Sequence, residues 1–193
     1  MKYLCWKQNI CSWKNYALVP LREQDIFLIK QWRNDQRNIL RQNNILSNEE
    51  QLQYFNTVVV PSMQEKQPSL ILLSFLLDNT CIGYGGLTYI NWTSGRAELS
   101  FLLNTEYTKE DLLYKTHFSA YLKLIKNITF KDLSLNRIFT ETFDCRLLHT
   151  KTLEKNGFML EGRLRSHVTK NDCFFDSLIH GIIKDDYART CQK

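Results

Sequence analysis

No CxxC pair occurs among the six cysteines, Cys5, Cys11, Cys81, Cys145, Cys173 and Cys191, so neither a zinc module nor a thioredoxin-type redox site is suggested, and reduced thiols are expected. Histidine is scarce too, and His117, His167 and His180 have no partners at metal-ligand spacing, so no metal is expected. No apolar run reaches membrane-spanning length. Met1–Tyr16 mixes Lys2, Lys7 and Lys14 with aromatic residues instead of building the apolar centre of a secretory leader. A soluble, cytoplasmic protein is the expectation. Basic runs interleaved with aromatics are also missing. The net charge of +5 is spread along the chain, which argues against a nucleic-acid partner and fits either a small anionic ligand or a solvated surface.

What is present is enough apolar material for one full core, 44% of 193 residues, and a single domain over 1–193 is expected, with 1–16 as an N-terminal extension. The organising stretch is Thr80–Leu103, which reads as two strands and a turn. Ile82, Tyr84, Leu87, Tyr89 and Trp92 are strand formers, and Gly83, Gly85 and Gly86 thin the backbone where a bulge or a close neighbour is expected. Thr93-Ser94-Gly95 supplies the turn. Beyond it Ala97, Leu99, Phe101 and Leu103 alternate with Glu98, Ser100 and Leu102, so the period of two predicts Glu98 and Leu102 looking out from one face.

Around this hairpin, Leu18–Leu21 reads as a strand, and Asp25 stands where it would cap a helix to about Arg33 with Leu28, Ile29 and Trp32 inward. Ser47-Asn48-Glu49-Glu50 has capping-box spacing and predicts a helix over Glu49–Asn56 anchored by Tyr54 and Phe55. Pro61 to Pro68 reads as a surface loop and Leu70–Leu77 as a buried strand turned by Asp78-Asn79. Leu113, Phe118, Tyr121, Leu122, Ile125 and Ile128 recur at helical spacing from about Thr108 to Asp132. A strand over Arg137–Phe143, a helix over Arg146–Lys155 closed by Gly157, and two further strands from Phe158 and over Cys173–Ile183 complete an α+β order without repeats.

Three segments in this order carry a resemblance: QWRN after the first helix, IGYGGL with RAELSFLL in the hairpin, and RIFTETFDCR, LEKNGF and EGRLR toward the end. Together they resemble the GNAT acyltransferase superfamily over about residues 18–185, on the side that includes ribosomal-protein alanine acetyltransferases. LRQNNILSNEEQLQYF is similar to sugar-amine acetyltransferases of surface-polysaccharide pathways. The resemblance implies a GNAT fold, a mostly antiparallel mixed sheet flanked by helices, whose central strands splay around the pantetheine arm of acetyl-CoA. Phe101, Leu102, Leu103 and Asn104 would form one edge of that cleft and Ile138–Phe143 the other, with the amide near Leu102 facing the thioester oxygen.

The family's glycine-rich phosphate turn is missing, since NTEYTKEDLLYKTHF holds no glycine. Either the helix end still binds phosphate, through amides near Tyr114–Ser119 (Lys115, Thr116 and Phe118 among them) with Lys109 or Lys115 as counter-charge, or the domain only binds a ligand. Glu98 is the candidate general base, with Glu141 as the alternative and a pairing of Glu98 with Arg96 as the bland account. The family's tyrosine acid is replaced by Leu153. His149, one helical turn earlier, is the candidate proton donor, and Arg146 a candidate contact for acetyl-CoA. Arg33, Arg41 and Gln42 are candidates to meet the acceptor, Trp92 and Phe174 to stack on it or to form core or homodimer contacts, and Asp176 to bind its amine. The resulting expectation is an acetyl-CoA-dependent N-acetyltransferase acting by direct transfer on a small-molecule amine, that of an amino sugar nucleotide, or alternatively on a protein N-terminus.

Overall fold

The computed structural model describes residues 1–170 and 172–190; Cys191 lies outside the described residues. Eight strands form one sheet: β1 (Cys11–Trp13), β2 (Tyr16–Pro20), β3 (Ile71–Leu77), β4 (Thr80–Asn91), β5 (Arg96–Leu103), β6 (Arg137–Phe143), β7 (Met159–Lys170) and β8 (Cys173–Ile183). They lie in the order β1-β2-β3-β4-β5-β6-β8-β7. Only β5 and β6 run parallel. The helices are α1 (Ile26–Asp35), α2 (Asn48–Tyr54), α3 (Val60–Met63), α4 (Asp111–Asn127), α5 (Leu147–Lys155) and α6 (Lys184–Thr190).

The period of two sorts the central strands into two buried faces. Leu73, Gly85 and Phe101 lie side by side across β3, β4 and β5, as do Phe75, Gly83 and Leu103, and this face packs on Phe118 and Tyr121 of α4. The alternate set, Leu72, Gly86 and Ser100 with Ser74, Tyr84 and Leu102, faces α1 and α2. Leu102 is therefore on Glu98's face as the alternation requires, yet buried, because helices cover both sides of the sheet.

Local chemistry explains most boundaries. Asp78 and Asn79 both take positive φ (48° and 64°), as a two-residue hairpin turn demands. The capping box is complete, with the Glu50 amide donating to Ser47 Oγ at 3.1 Å and the Ser47 amide to Glu50 Oε2 at 2.8 Å. Gly157, at φ 91°, closes α5.

Several expectations need correction. Residues 1–16 are not an appendage: they supply β1, and Tyr3 and Trp6 are core residues, the Trp6 indole donating to Asp132 at 2.8 Å. Asp25 precedes α1 but makes no capping bond. Its carboxylate instead accepts from Arg22 Nε (2.7 Å) and Ser74 Oγ (2.6 Å), tying α1 to the sheet. Ile26, not the exposed Leu28, completes the inner stripe with Ile29 and Trp32, and Tyr54 is exposed where Phe55 is buried. The second helix does not stop near Asn56. A π-type turn over Phe55–Val59 carries it into α3, whose second residue is Pro61. No helix among the described residues is long and apolar enough to cross a membrane.

The tightest constraint is at Gly86, whose φ is 148° and where an added Cβ would lie 1.9 Å from the Ile71 carbonyl oxygen. Gly86→Ala is expected to destabilise the fold by about 3 kcal/mol or more, since both strain and a backbone clash act at once. Urea unfolding of variant and parent measures it.

Candidate active site

The parallel pairing of β5 and β6 covers only Arg96–Glu98 against Arg137–Phe139. Beyond it each strand stays with its outer neighbour, β5 with β4 as far as Leu103 and β6 with β8 as far as Phe143, so a V-shaped gap opens at Leu99 and Thr140. The free edge of β6 thus begins at Thr140 and not at Ile138. A cavity of about 180 Å³ occupies the gap, walled by Leu99, Phe101, Thr140, Thr142, Arg146 and His149 among others. Its floor is a stack of rings: Phe101 on Phe118 at 4.5 Å, and Phe118 on His149 at 4.4 Å.

Which β5 amides face the gap follows from the ladder. The Asn104 amide donates to Ile82 of β4 at 2.8 Å, so its alternate, Leu102, opposite Tyr84, also turns its backbone groups toward β4. The amides of Phe101 and Leu103 point the other way, into the gap. The Leu102 amide, expected to face the thioester oxygen, is therefore turned away from the gap, and its two neighbours face it. Gln36 Nε2 donates to the Leu103 carbonyl at 2.8 Å, which fixes the far end of the edge, and Asn104 is spent on a turn, accepting from the Glu106 amide at 3.0 Å.

At the apex of the V stand Glu98 of β5 and Glu141 of β6, and they share one cation. Arg41 Nη2 lies 2.9 Å from Glu141 Oε2 and 3.4 Å from Glu98 Oε1. Ser177 donates to Glu141 Oε1 at 2.8 Å, and His167 Nε2 is 3.7 Å from the same oxygen. Burial pushes the Glu98 carboxyl up from its ordinary value, the negative charge of Glu141 adds to this, and Arg41 opposes it. The partner of Glu98 is therefore Arg41, not Arg96. Arg41 was legible as a basic residue of the acceptor region, but its bridging of two strands depends on a loop conformation that spacing does not encode.

His149 is buried beneath the gap, its Nδ1 2.7 Å from Tyr114 Oη. Arg146 Nη2 is 3.4 Å from both atoms. A guanidinium only donates, so Nδ1 is the acceptor and the ring proton sits on Nε2. Burial, helped by the charges of Arg146 and His180, drives the His149 pKa well below its ordinary value, so the ring is neutral. Burial raises that of Tyr114, with Arg146 opposing. Tyr114 escaped the sequence analysis although it sits one turn before Phe118 on the same face of α4.

The end of α4 differs from what the phosphate-binding account needs. Its unbonded amides belong to the first turn from Asp111, because the Tyr114 amide already donates to Glu110 at 3.0 Å. Thr116 bonds back to Leu112 within the helix, Phe118 is a fully buried spacer, and Lys115 lies 3.8 Å from Asp111. Lys109 is held by Glu106 at 2.7 Å. Lys115, Thr116 and Phe118 thus do not form the helix end, and the residues that do (Glu110 and Asp111, with Glu106 nearby) are acidic. A larger cavity of about 620 Å³ adjoins the gap here, lined by Gln36, Thr105, Tyr114, Arg146 and His149.

On the opposite face of the sheet, a cavity of about 290 Å³ lies between α1, α2 and the sheet, walled by Ile29, Arg33, Tyr54, Leu72, Tyr84 and Ser100, the last of which also borders the gap. Arg33 is held there by Gln42 (3.0 Å) and by the Tyr84 hydroxyl. Three other acceptor candidates are placed elsewhere. Trp92 packs at the hairpin tip with its indole donating to Pro68 at 2.8 Å, and Phe174 is exposed on β8; neither lines a cavity at the gap. Asp176 accepts from the Ser166 amide at 2.8 Å and from Arg163 at 2.6 Å, bonds that hold its carboxyl below the usual range and commit it to the β7–β8 ribbon.

A family model described as an acetyltransferase (GNAT) domain matches residues 18–179. The chain belongs to the GNAT acetyltransferase family. Among solved structures, spermidine N-acetyltransferase from Vibrio cholerae in complex with CoA and spermine is similar over 90% of this chain and 98% of its own, with 19% identity and a TM-score of 0.76. A chimera of that enzyme with hSSAT gives 18% identity, 91% and 99% coverage and the same TM-score. A GNAT-family acetyltransferase from Bacillus anthracis gives 13% identity, 91% and 99% coverage and a TM-score of 0.73. At these identities the likeness is one of fold. No protein of curated function matches the sequence.

This GNAT acetyltransferase uses acetyl-CoA as its acetyl donor, and its residues fit the pantetheine arm better than the diphosphate: two strand amides face the gap, whereas the helix end is acidic. Neutralising that end in Glu110→Gln/Asp111→Asn is expected to lower the KM for acetyl-CoA about two- to fivefold, the scale of a charge beside an exposed helix terminus. The KM for acetyl-pantetheine, which lacks the phosphates, should stay unchanged in the same steady-state assay.

Proposed function

We propose that this acetyltransferase transfers the acetyl group of acetyl-CoA directly to the primary amine of an amino sugar nucleotide, in the cytoplasm where the donor thioester is made. The observation that carries the acceptor choice is the wall of the 290 Å³ cavity, which presents the guanidinium of Arg33 and the rings of Tyr54 and Tyr84. Its one carboxylate, Glu50, is engaged in the capping box. A polycation would meet the fixed positive charge of Arg33 there, with the single carboxylate of Glu50 to offset it. A hydroxyl-rich, anionic ligand finds hydrogen-bond donors and ring faces.

The chemistry follows from the apex of the V. The acceptor arrives as an ammonium ion. Glu98, held ready by burial and a shared cation, takes one proton, leaving a neutral amine to attack the thioester carbonyl. The amides of Phe101 and Leu103 face the gap where negative charge would develop on the carbonyl oxygen. Carbon–sulfur cleavage then gives the amide and the thiolate, which takes up the second nitrogen proton. Overall, one ammonium and one thioester become one amide, one thiol and one proton released through Glu98. No acyl-enzyme is needed.

A thiol-release assay with acetyl-CoA tests the acceptor. A panel of 4-amino sugar nucleotides is expected to outcompete N-terminal peptides and spermidine, and turnover of peptides or polyamines with no amino sugar accepted would overturn the choice. Arg33→Ala should raise the acceptor KM more than it lowers kcat, as befits a contact made equally in ground and transition states.

For the base, Glu98→Gln should lower kcat about 10²-fold or more. The sign of the pH effect is fixed by the ionised carboxylate being the active form: the parent's rate climbs as pH rises through the elevated Glu98 pKa, that climb disappears in the variant, and the deficit narrows at alkaline pH where the amine loses its own proton. Loss carried by Glu141→Gln alone would reassign the base.

A further inference from the structure

The pair of carboxylates at the apex already shares one cation before any acceptor arrives, and the way that cation is held says how the acceptor must enter. Glu98 and Glu141 stand on opposite lips of the gap and are largely buried, their side chains 16% and 18% exposed, whereas Arg41 is 46% exposed. The cation reaches in from the solvent side. Its position is imposed by its neighbours, since the Lys170 ammonium, at the end of β7, donates to the carbonyls of Arg37 and Leu40. On the other side, the Gln42 amide group donates to Asn34 Oδ1 at 2.9 Å and to the Asn44 carbonyl at 2.8 Å. Residues on both sides of Arg41 are thus pinned. Its own side chain is held by the two glutamates, and no other salt bridge joins it among the described residues.

Resting on the reading of Glu98 as base, we propose that Arg41 is a resident cation that keeps the place of the acceptor's ammonium group: the incoming amine enters as R–NH3+ and exchanges with the guanidinium at Glu98 and Glu141. One monocation replaces another, so the two buried carboxylates never face each other without a cation between them, an arrangement that a poorly solvated site penalises. The exchange also sorts cations by chemistry. A guanidinium does not give up its proton in a protein, so Arg41 can neither feed Glu98 nor attack the thioester. An alkylammonium can do both: its N–H proton passes to Glu98, giving R–NH2 and a neutral carboxyl, and the nitrogen lone pair becomes available. Arg41 is a positioning and specificity residue in this scheme, not a catalytic one. It rejects acceptors that bring no positive charge to the apex.

Every charged group facing Glu98 enters the test: Arg41 from the loop after α1, Glu141 from β6, and His167 of β7 through Glu141. The kcat/KM profile reports the free enzyme, in which Arg41 is in place, and the kcat profile reports the complex, from which it has been displaced. In Arg41→Gln the acid limb of kcat/KM should move to higher pH, because the lowering influence on Glu98 is gone, while the acid limb of kcat stays where it is in the parent. The acceptor KM should fall about two- to fivefold, the size of a half-exposed ion pair no longer to be displaced, with the acetyl-CoA KM unchanged. If both limbs move together, or if the acceptor KM rises, Arg41 remains in the complex and the proposal fails.

A second measurement does not depend on the acceptor's identity. Propylammonium chloride titrated into the donor-free protein should shift the Arg41 Nε–H NMR signal toward that of a solvated guanidinium, with the signal assigned from its absence in Arg41→Gln. An unmoved Arg41 signal at saturating propylammonium would overturn the exchange even if an amino sugar is the substrate. A moved signal would sustain it even if the amino-sugar reading fails.

Discussion

Everything at the active site depends on the parting of two adjacent strands. β5 stays paired with β4 and β6 with β8, while the facing edges of β5 and β6 separate beyond Glu98 and Phe139. The wedge that keeps them apart is aromatic. Phe101 leans on Phe118 and Tyr121, and His149 continues the stack on the far side, so closing the gap would mean expelling rings that bury large areas. The exposed backbone of the edges, a liability in any other sheet, becomes the feature that can receive an amide-bearing pantetheine arm.

The same wedge couples the two faces of the sheet. Tyr121 reaches through the slot left by Gly85 to donate to the Ser100 carbonyl at 2.7 Å, and Ser100 borders both the gap and the cavity under α1 and α2 on the opposite side. A side chain at position 85 would meet the Tyr121 hydroxyl at 2.5 Å. Glycine there is a condition for α4 to approach the sheet closely, and so for the floor of the gap to be formed by its rings.

Much of this was legible in the sequence because it is local. Alternation in RAELSFLL, the glycines of IGYGGL, the Ser47–Glu50 cap and the Gly157 stop each reflect constraints acting over a few residues, and the elements they mark are those found. The placement of Glu98 at the gap and of Arg33 on the cavity wall was legible for the same reason, their register following from the strand and helix that carry them. What was not legible depends on partners distant in the chain. Asp25 stands like a cap but is drawn away by Arg22 and Ser74; Trp92 and Asp176 look free but are tied to Pro68 and Arg163. The turning of the Leu102 amide away from the gap is of another kind. Side-chain alternation marks faces, whereas the direction of an amide is set by which neighbour the strand pairs with, and only the ladder fixes that.

The docking of Trp6 against Asp132 has a consequence for how the protein is made. Trp6 leaves the ribosome long before the helix extension on which it docks, and its indole finds its acceptor 126 residues later. Until α4 and its π-type extension are synthesised, the hydrophobic surface meant for the core stays uncovered on the growing chain, and the loop to be closed is long. Trp6 is made early and placed late, so the apolar surface it covers stays open through much of the synthesis of this acetyltransferase.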